Sequence, residues 1–587
     1  MNDPASTSTA PQRWRWLGFL APILILAAAI GYYGSYIAYW FNPHDEGGTA
    51  ALTALRLLHG EAPIRDVELG YNVGWYWPLV GLFKVAGVNF LVLRGYFFAL
   101  STLTALLGWS IVRRVTRQEW LALAVGLGLI VFPGSQFKNY IPLCGVANTL
   151  CLVSAALAAG QSLTAFWRRL ALGGLILGFT LLVRVDLGYL FVLLWGGFLF
   201  LRFCTAGLGL GRRFIDVIVA LAIVCSGIVV THAPIYWVAR SGGYDRQFTG
   251  QYTEWFEYLS DLAGKNFLPA QPKPAATAPA PAATAEAAQP AAPVATIDRT
   301  TLPRVTWAAA RASKEADKTI LFVLTYLPVL IFAVLLAWAI PQCLGTIFRG
   351  RFTLEHPATL GLLLLFGSLA TFPQFFYFRP DRPHLSEFMP GYIVATVAVV
   401  ALIAGRWRWI VAGVLALQFA LFGWFALDHY SAGTIAARTK IKKNKRIRFE
   451  GANGVHVWVH KEKDYPELEG VRAAVVEHSK PGDWLICYPY QPGYNVMTDR
   501  PTYERDLYQD NSTAPAGWSK GAIRRFEAKR PAVVIIDDRP INQVEASRFS
   551  VWAQGAYEYL KANYQLTAHF DTIEVYTRKD APPPQAP

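Results

Sequence analysis

The sequence predicts a polytopic α-helical membrane protein of about eleven spans with a soluble α/β domain at its C-terminal end. Three observations predict it. Of 587 residues, 53% are hydrophobic and only 16% are charged, against roughly 25% charged in an ordinary soluble domain. Apolar stretches of 14 to 25 residues recur from Trp14 to Ala426. The remaining residues, by contrast, show the short alternating and amphipathic patterns of a globular domain. Together these exclude a soluble enzyme, a disordered chain and a fibrous one.

The first twelve residues are polar, Arg13 and Arg15 follow, and Leu17 to Trp40 is apolar over 24 residues. That run is too long for a signal-peptide core and lacks a small-residue cleavage site, so it reads as an uncleaved span. Further spans are predicted at 90–112, 119–133, 141–160, 170–183, 187–204, 214–237, 319–342, 357–377, 388–405 and 407–427. Those at 119–133 and 170–183 are short for a hydrocarbon layer of ~30 Å, which suits tilted or re-entrant pieces. Residues 170–204 cannot form one helix, because Arg184 and Asp186 would then lie at mid-bilayer.

Arginines assign the sides. With the N-terminus inside, Arg13, Arg15, Arg113, Arg114, Arg117, Arg168, Arg169, Arg202, Arg212, Arg213, Arg349, Arg351, Arg406 and Arg408 fall on inner segments, against Asp3, Glu119, Asp216 and Glu355. The excess is what the positive-inside rule expects. It accounts for most of the net charge of +14, so the basic balance reports threading and not a nucleic-acid partner. The predicted location is a bacterial-type inner membrane, with the N-terminus cytoplasmic and the C-terminal domain periplasmic or extracellular. The basic run Arg438 to Arg448 disagrees in sign and reads as a stem at the lipid headgroups.

The predicted organisation is a membrane domain over 1–430 and an extracytoplasmic α/β domain over 431–587. The membrane domain has a first external loop at 41–89 and a large one at 238–318. Within the latter, the Pro/Ala tract 269–293 reads as a linker, and Gly243 to Phe267 as a helix on the membrane surface. In the C-terminal domain, strands are expected at Val455–Val459, Trp484–Tyr488 and Ala532–Asp537, with a closing pair at 566–570 and 573–577. Helices are expected at Glu467–His478, Lys520–Lys529 and Phe549–Asn563. Cys487 is the one cysteine there, so no internal disulfide framework holds the domain.

The first external loop opens Phe41-Asn42-Pro43-His44-Asp45-Glu46-Gly47-Gly48. Pro43 suits a helix start, which places Asp45 and Glu46 in a first turn. There they either complement the helix dipole or do chemistry at the membrane face. The two glycines allow a ligand or another backbone to approach. An amphipathic run to His59-Gly60 follows, then Pro63-Ile64-Arg65-Asp66, an aromatic stretch from Tyr71 to Pro78, Leu82-Phe83-Lys84, and Arg94 inside the second span. In this order of parts the sequence resembles the integral-membrane glycosyltransferases of the GT-C fold. The branch it is similar to contains protein O-mannosyltransferases and lipid A aminoarabinose transferases.

The resemblance implies an enzyme that moves a hexosyl or pentosyl group from a polyprenyl-phosphate donor to an acceptor hydroxyl, with inversion. Such a transfer needs a base at the hydroxyl and positive charge on the leaving phosphate. Asp45 is the expected base, with Glu46 or Asp66 orienting hydroxyls. The loop Phe378-Arg379-Pro380-Asp381-Arg382-Pro383-His384 supplies Arg379, Arg382 and His384 for the phosphate, its prolines holding it extended. Arg184 with Asp186 reads either as a buried ion pair or as a second phosphate contact, Lys138 is a further phosphate candidate, and Arg94 snorkels or pairs with a carboxylate. No cofactor is implied, although Asp45, Glu46 and Asp66 admit a divalent cation, Mg²⁺ or Mn²⁺. Expected partners are the polyprenyl-phosphate sugar, membrane lipids, and a lipid, glycan or protein acceptor. Alternatives are a flippase or transporter of lipid-linked sugars, a polymerase or ligase of lipid-linked glycans, and a non-catalytic scaffold. Asp537-Asp538-Arg539 reads as a strand-end turn.

Overall fold

The computed structural model describes residues 15–35, 37–131, 140–205, 209–267, 316–372, 382–403, 407–429, 443–511, 514–540 and 545–579. Among these, seven helices are long and apolar enough to cross a membrane and four shorter apolar ones accompany them. The chain is a polytopic helical membrane protein, in agreement with the eleven predicted spans. Its helices are α1 (Arg15–Gly34), α2 (Ala51–Leu58), α3 (Val73–Ala86), α4 (Phe90–Thr116), α5 (Glu119–Val131), α6 (Tyr140–Ala159), α7 (Leu163–Val183) and α8 (Val185–Phe203). They continue as α9 (Leu210–Ser241), α10 (Asp245–Phe267), α11 (Ala316–Phe348), α12 (Pro357–Leu369), α13 (Arg382–Leu402) and α14 (Trp407–His429). The small-residue helix α6 is buried on nearly every side, whereas α9 presents most of its apolar surface outward, as a lipid-facing helix does.

One span prediction needs correcting and its companion stands. The span predicted at 170–183 begins at Leu163 and is full length, 21 residues, with the Ser162 hydroxyl accepting from the Ala165 amide. Arg168 and Arg169 interrupt the apolar run there without interrupting the helix. The span at 119–133 is short, at 13 residues. The predicted break holds: Arg184 is extended (φ −154°, ψ 106°) between α7 and α8.

Contacts sort the connecting segments into two ends. At one, Arg113 pairs with Glu119 at 2.8 Å, Arg202 with Asp216 at 2.7 Å, and Glu355 lies against Gly160. At the other, Arg65 donates to the Gly242 carbonyl at 3.0 Å, and the Asn72 amide to Val183 at 3.2 Å. The C-terminal unit stands at this second end, where the Glu68 amide donates to the Arg505 carbonyl at 2.9 Å. The first loop and the C-terminal unit thus lie away from the arginine-rich turns.

The C-terminal unit begins with an antiparallel hairpin, β1 (Arg446–Glu450) and β2 (His456–His460). Its other elements are α15 (Tyr465–His478), β3 (Leu485–Tyr488), α16 (Gly493–Thr498), α17 (Trp518–Lys529), β4 (Val533–Asp537), α18 (Phe549–Trp552), α19 (Gln554–Asn563), β5 (Tyr564–Phe570) and β6 (Ile573–Arg578). The sheet order is β3-β4-β6-β5, with β3 and β4 parallel and β6 antiparallel to both its neighbours. The all-apolar start of β4, wholly buried, explains its central place. Ile486, Val534 and Ile536 pack with Trp518, Phe526 and Leu560, while Leu485, Val533 and Ile535 belong with Leu468 and Val471 of α15 in the larger core. The helix predicted over Phe549–Asn563 is broken at Ala553. The end of the basic run is also reassigned: Arg446 and Arg448 lie in β1, and the Arg446 guanidinium sits 5.1 Å from the Trp458 ring.

Backbone hydrogen bonds join this unit to the chain leaving α1. The Trp458 amide donates to Ala38 O and the Trp40 amide to Trp458 O, both at 2.7 Å, so residues 38–40 run parallel along β2. Arg94 is buried and does not snorkel. It donates to the carbonyls of Ile37 (2.8 Å), Tyr39 (2.5 Å) and Trp40 (2.6 Å). The Gly493 amide donates to Pro43 O at 2.7 Å, and a Cβ on Gly493 would meet the Pro43 backbone, 2.6 Å from its oxygen. A Cβ on Gly48 would collide with Pro43 O and lie 2.9 Å from Pro492 Cγ. Both glycines are therefore required by a backbone-to-backbone approach. Gly493→Ala is expected to loosen the contact, raising amide hydrogen exchange at residues 38–44 several-fold. Gly521→Ala, whose Cβ meets only Arg525 Nη1 at 3.4 Å, is the control and leaves that exchange unchanged.

Candidate functional site

The segment after α1 turns at Asn42-Pro43, where the Asn42 side-chain oxygen accepts from the His44 amide at 2.9 Å. A π-helical turn, Asp45–Ala50, then leads into α2. Asp45 and Glu46 therefore open a helical segment, as predicted; their side chains lie outside the described residues. Gly47 permits the turn, since its Cβ would run into the Phe41 ring and lie 2.7 Å from Asn42 O.

Immediately before Asp45, residues Trp40 to His44 form one wall of a cleft of about 490 Å³. Asp464, Glu467, Tyr490, Gln491, Asp537 and Arg539 from the C-terminal unit form the other. Tyr490 is fixed from two sides: its ring meets His44 edge-on at 3.7 Å between centroids, and its hydroxyl accepts from Thr49 Oγ1 at 3.1 Å. Asp537, buried at the end of β4, accepts from Gln491 Nε2 at 2.6 Å and Thr572 Oγ1 at 2.8 Å. Tyr494 donates to Glu467 Oε1 at 2.9 Å. Burial raises the Glu467 carboxyl above its ordinary range, its tyrosine partner opposing this. The strand-end reading suits Asp538, which caps Ser550 through its amide and hydroxyl, each at 2.7 Å. Asp537 and Arg539 line the cleft instead.

A second polar group lies at the junction of α7 and α8. Arg184 Nε and Nη2 pair with Asp186 at 3.0 and 3.2 Å, with side chains 12% and 2% exposed. The Tyr71 ring sits 5.1 Å from the guanidinium and stacks on Trp75 at the same separation. Glu387, buried in α13, acts on Arg184 through its charge. The fully buried Tyr76 packs beside Trp75, with ring centroids 4.8 Å apart. Asn72 anchors the loop end, donating to Leu181 O at 3.3 Å and to the Tyr252 hydroxyl of α10 at 3.2 Å.

Of the other predicted residues, Lys138 and Arg379 lie outside the described residues. Arg382 and His384 are placed by backbone alone, and their prediction as part of an extended loop is corrected: both fall in the first turn of α13, with Pro383 between them. Proline is tolerated there because a first-turn amide has no helical acceptor. Asp66 closes the turn after α2. Its carboxylate accepts from Arg65 Nε (2.9 Å), Arg65 Nη2 (2.8 Å) and the Ala62 amide (2.8 Å), which holds it down at about 2. Arg56 adds a bond to the Asp66 carbonyl at 3.1 Å and one to Glu504 O at 2.6 Å.

Sequence reasoning missed Glu387, Glu467, Gln491 and the inward face of Asp537. Glu387 carried a readable signal, a carboxylate at a membrane end one turn beyond the Arg/His loop. The others come together only through the docking of a distant domain. Among the described residues, no group of three or more His, Cys, Asp or Glu is placed to hold a metal ion.

No protein-family description matches the sequence, and no curated protein matches it either. Among solved structures, the chain is similar to ArnT from Cupriavidus metallidurans in the apo state, with 14% identity and a TM-score of 0.48 over 96% of this chain and 98% of that one. It is also similar to ArnT from the same organism bound to undecaprenyl phosphate, with 12% identity and a TM-score of 0.49 over 98% and 100%.

Two carboxylates around the first loop have opposite linkage. Asp66 is depressed chiefly by Arg65, so its stabilisation is full above ~3.9, the unfolded value, and is lost as pH falls toward about 2. Asp506 is raised to about 6 by burial and by the Glu68 charge, so stability falls as pH rises from ~4 through about 6. In unfolding measurements Asp66→Asn is expected to lose up to ~1 kcal/mol at pH 7, the range for an exposed pair, with the loss shrinking below ~4. Asp506→Asn should instead gain stability at pH 7 and lose that gain below ~4. The same sign for both would contradict these environments.

Proposed function

We propose that this protein is a membrane glycosyltransferase that moves a sugar from a polyprenyl-phosphate donor to an acceptor hydroxyl at the outer membrane face. One observation carries the reading. The turn that begins with Asp45 adjoins a cleft walled by the C-terminal unit, and the Arg184 group, with Tyr71 5.1 Å from its guanidinium, lies at the same end of the helices, where the Asn72 amide donates to Val183. A lipid phosphate reaches such a site from the membrane and an acceptor from outside it. The order of first-loop motifs supports the same reading.

In this mechanism Asp45 takes the proton from the acceptor hydroxyl as that oxygen bonds to the anomeric carbon. The bond from that carbon to the phosphate oxygen breaks, and the electron pair leaves with the polyprenyl phosphate. Attack from the face opposite the phosphate inverts the centre. Arg379, Arg382, His384 and Lys138 are the groups assigned to the phosphate charge, and Glu46 orients a hydroxyl. Asp66, with its oxygens engaged by Arg65 and Ala62, shapes the loop. Arg184 and Asp186 hold the helix break beside it; their neutralised pair makes a weaker phosphate contact than a lone arginine. In this reading the N-terminus is cytoplasmic and the C-terminal unit extracytoplasmic, which the arginine distribution supports. In this reading Asp45 acts as a positioned base without a metal ion, a role that contributes roughly 10²–10⁴-fold.

Asp45→Asn is expected to lower transfer from a synthetic polyprenyl-phosphate sugar by at least ~10²-fold, leaving expression and the unfolding midpoint as in the wild type. Turnover of the wild type should survive chelator. Wild-type rates in Asp45→Asn would reject the base assignment, and chelator-sensitive turnover would move the first-loop carboxylates to a metal role.

A further inference from the structure

The cleft has a chemistry of its own. Three carboxylates, Asp464, Glu467 and Asp537, face one guanidinium, Arg539, and the aromatic residues Trp40 and Tyr490 stand beside them. A site for the donor phosphate would have the opposite balance. Asp537 is buried and has both oxygens engaged, by Gln491 on one side and by Thr572 and the Arg539 amide on the other. Arg539 is spoken for in part, with its Nε 3.8 Å from Asp537 and its Nη2 3.3 Å from Thr572. Gln491 is the informative residue. An ionised carboxylate only accepts, so the amide nitrogen of Gln491 must face Asp537, which fixes the direction of its carbonyl. That oxygen, Oε1, is buried and has no hydrogen-bond partner among the described residues. A buried acceptor without a donor is costly, and a small rotation of the Gln491 side chain toward the cleft would let a ligand hydroxyl or ammonium satisfy it.

Aromatic faces beside fixed carboxylate and amide acceptors are suited to a saccharide: rings take its C–H faces and the acceptors take its hydroxyls. The volume lies within the range of small-ligand sites, ~300–1,000 Å³. We infer that this cleft is a binding subsite for an uncharged or amino saccharide that carries no phosphate, held by Gln491, Glu467 and Asp537 against Trp40 and Tyr490. As the place of the acceptor in sugar transfer, the subsite rests on the proposed function. As a saccharide site it stands on the cleft alone. The division follows from charge: an anionic donor is repelled by the net negative cleft and directed to the membrane-end cations, while the acceptor enters between the first loop and the C-terminal unit.

The test uses the full chain in detergent, without donor, with glucosamine, N-acetylglucosamine and glucose 6-phosphate as probes in saturation-transfer NMR titrations. Glucosamine and N-acetylglucosamine should bind, and glucose 6-phosphate roughly ten-fold more weakly or not at all, the worth of about one charged contact. Gln491→Met should weaken both binding sugars roughly ten-fold by removing the acceptor atom. Asp537→Asn should weaken glucosamine more than N-acetylglucosamine, since only the former brings a positive charge. Unfolding midpoints at the wild-type value for Gln491→Met show that the loss is local; if that variant fails to fold, the exposed-side substitution Arg539→Ala reads the same site and should widen the discrimination against glucose 6-phosphate, because it removes an arginine from the cleft. Equal or tighter binding of glucose 6-phosphate by the wild type, or unchanged affinities in the folded variants, would overturn the inference. Turnover assayed in parallel separates the two readings: saccharide binding without transfer from any polyprenyl donor supports the cleft and rejects the enzyme, whereas transfer without saccharide binding overturns the cleft assignment.

Discussion

A guanidinium on one side and a strand edge on the other hold the four residues, Ile37 to Trp40, that lead from the first helix into the first loop. Arg94, buried in α4, donates to the carbonyls of Ile37, Tyr39 and Trp40. Trp458 of β2 exchanges backbone hydrogen bonds with Ala38 and Trp40. Hydrogen bonds from a charged donor contribute about 1.5–3 kcal/mol each in a protein. Pairing along an exposed strand edge adds main-chain bonds that no side-chain substitution removes directly. The turn with Asp45 begins five residues beyond Trp40, and the cleft wall from Trp40 to His44 belongs to the same segment. Its geometry depends on this double grip, and so does the position of the whole C-terminal unit.

The same economy of backbone contact recurs nearby. Gly48 and Gly493 let two main chains meet at Pro43, and Asn453 O accepts from the Phe90 amide at 3.1 Å at the start of α4. Asn72 reaches both the end of α7 and the Tyr252 hydroxyl of α10. The first loop is therefore tied to the membrane helices and to the C-terminal unit. Within this frame, Arg184 and Asp186 form a pair that neither member could sustain alone, because a lone charge so buried costs several kcal/mol. Their role in the structure is to stabilise the interruption between two spans.

Much of this architecture was legible from composition. Apolar runs and flanking arginines located the spans, because a hydrocarbon layer leaves few alternatives to helices. Errors arose where local chemistry was ambiguous: Arg168 and Arg169 hid the first turns of α7, and Pro383 looked like a sign of extended chain when it marks a helix start. Asp45 and Glu46 were visible as a carboxylate pair after a helix-starting proline, and a helical turn does begin at Asp45. The cleft was not legible, since Glu467, Gln491 and Asp537 lie more than four hundred residues beyond Trp40 and meet it only after domain docking. Gly47 and Gly48 were read as openings for a ligand or a backbone, and the backbone is what the structure supplies for Gly48. Arg94 shows why a buried arginine defeats sequence reasoning: its partners are carbonyls, which every residue carries.

In the proposed function a sugar passes from a lipid phosphate to an acceptor in the cleft between the first loop and the C-terminal unit. This transfer is tested most directly by following free polyprenyl phosphate released from a synthetic lipid-linked sugar by the purified full chain, with and without added acceptor saccharide. Release should depend on the acceptor and match glycosylated product mole for mole. Release at the same rate without acceptor, or no release from any donor in a panel of polyprenyl-phosphate sugars, would contradict it.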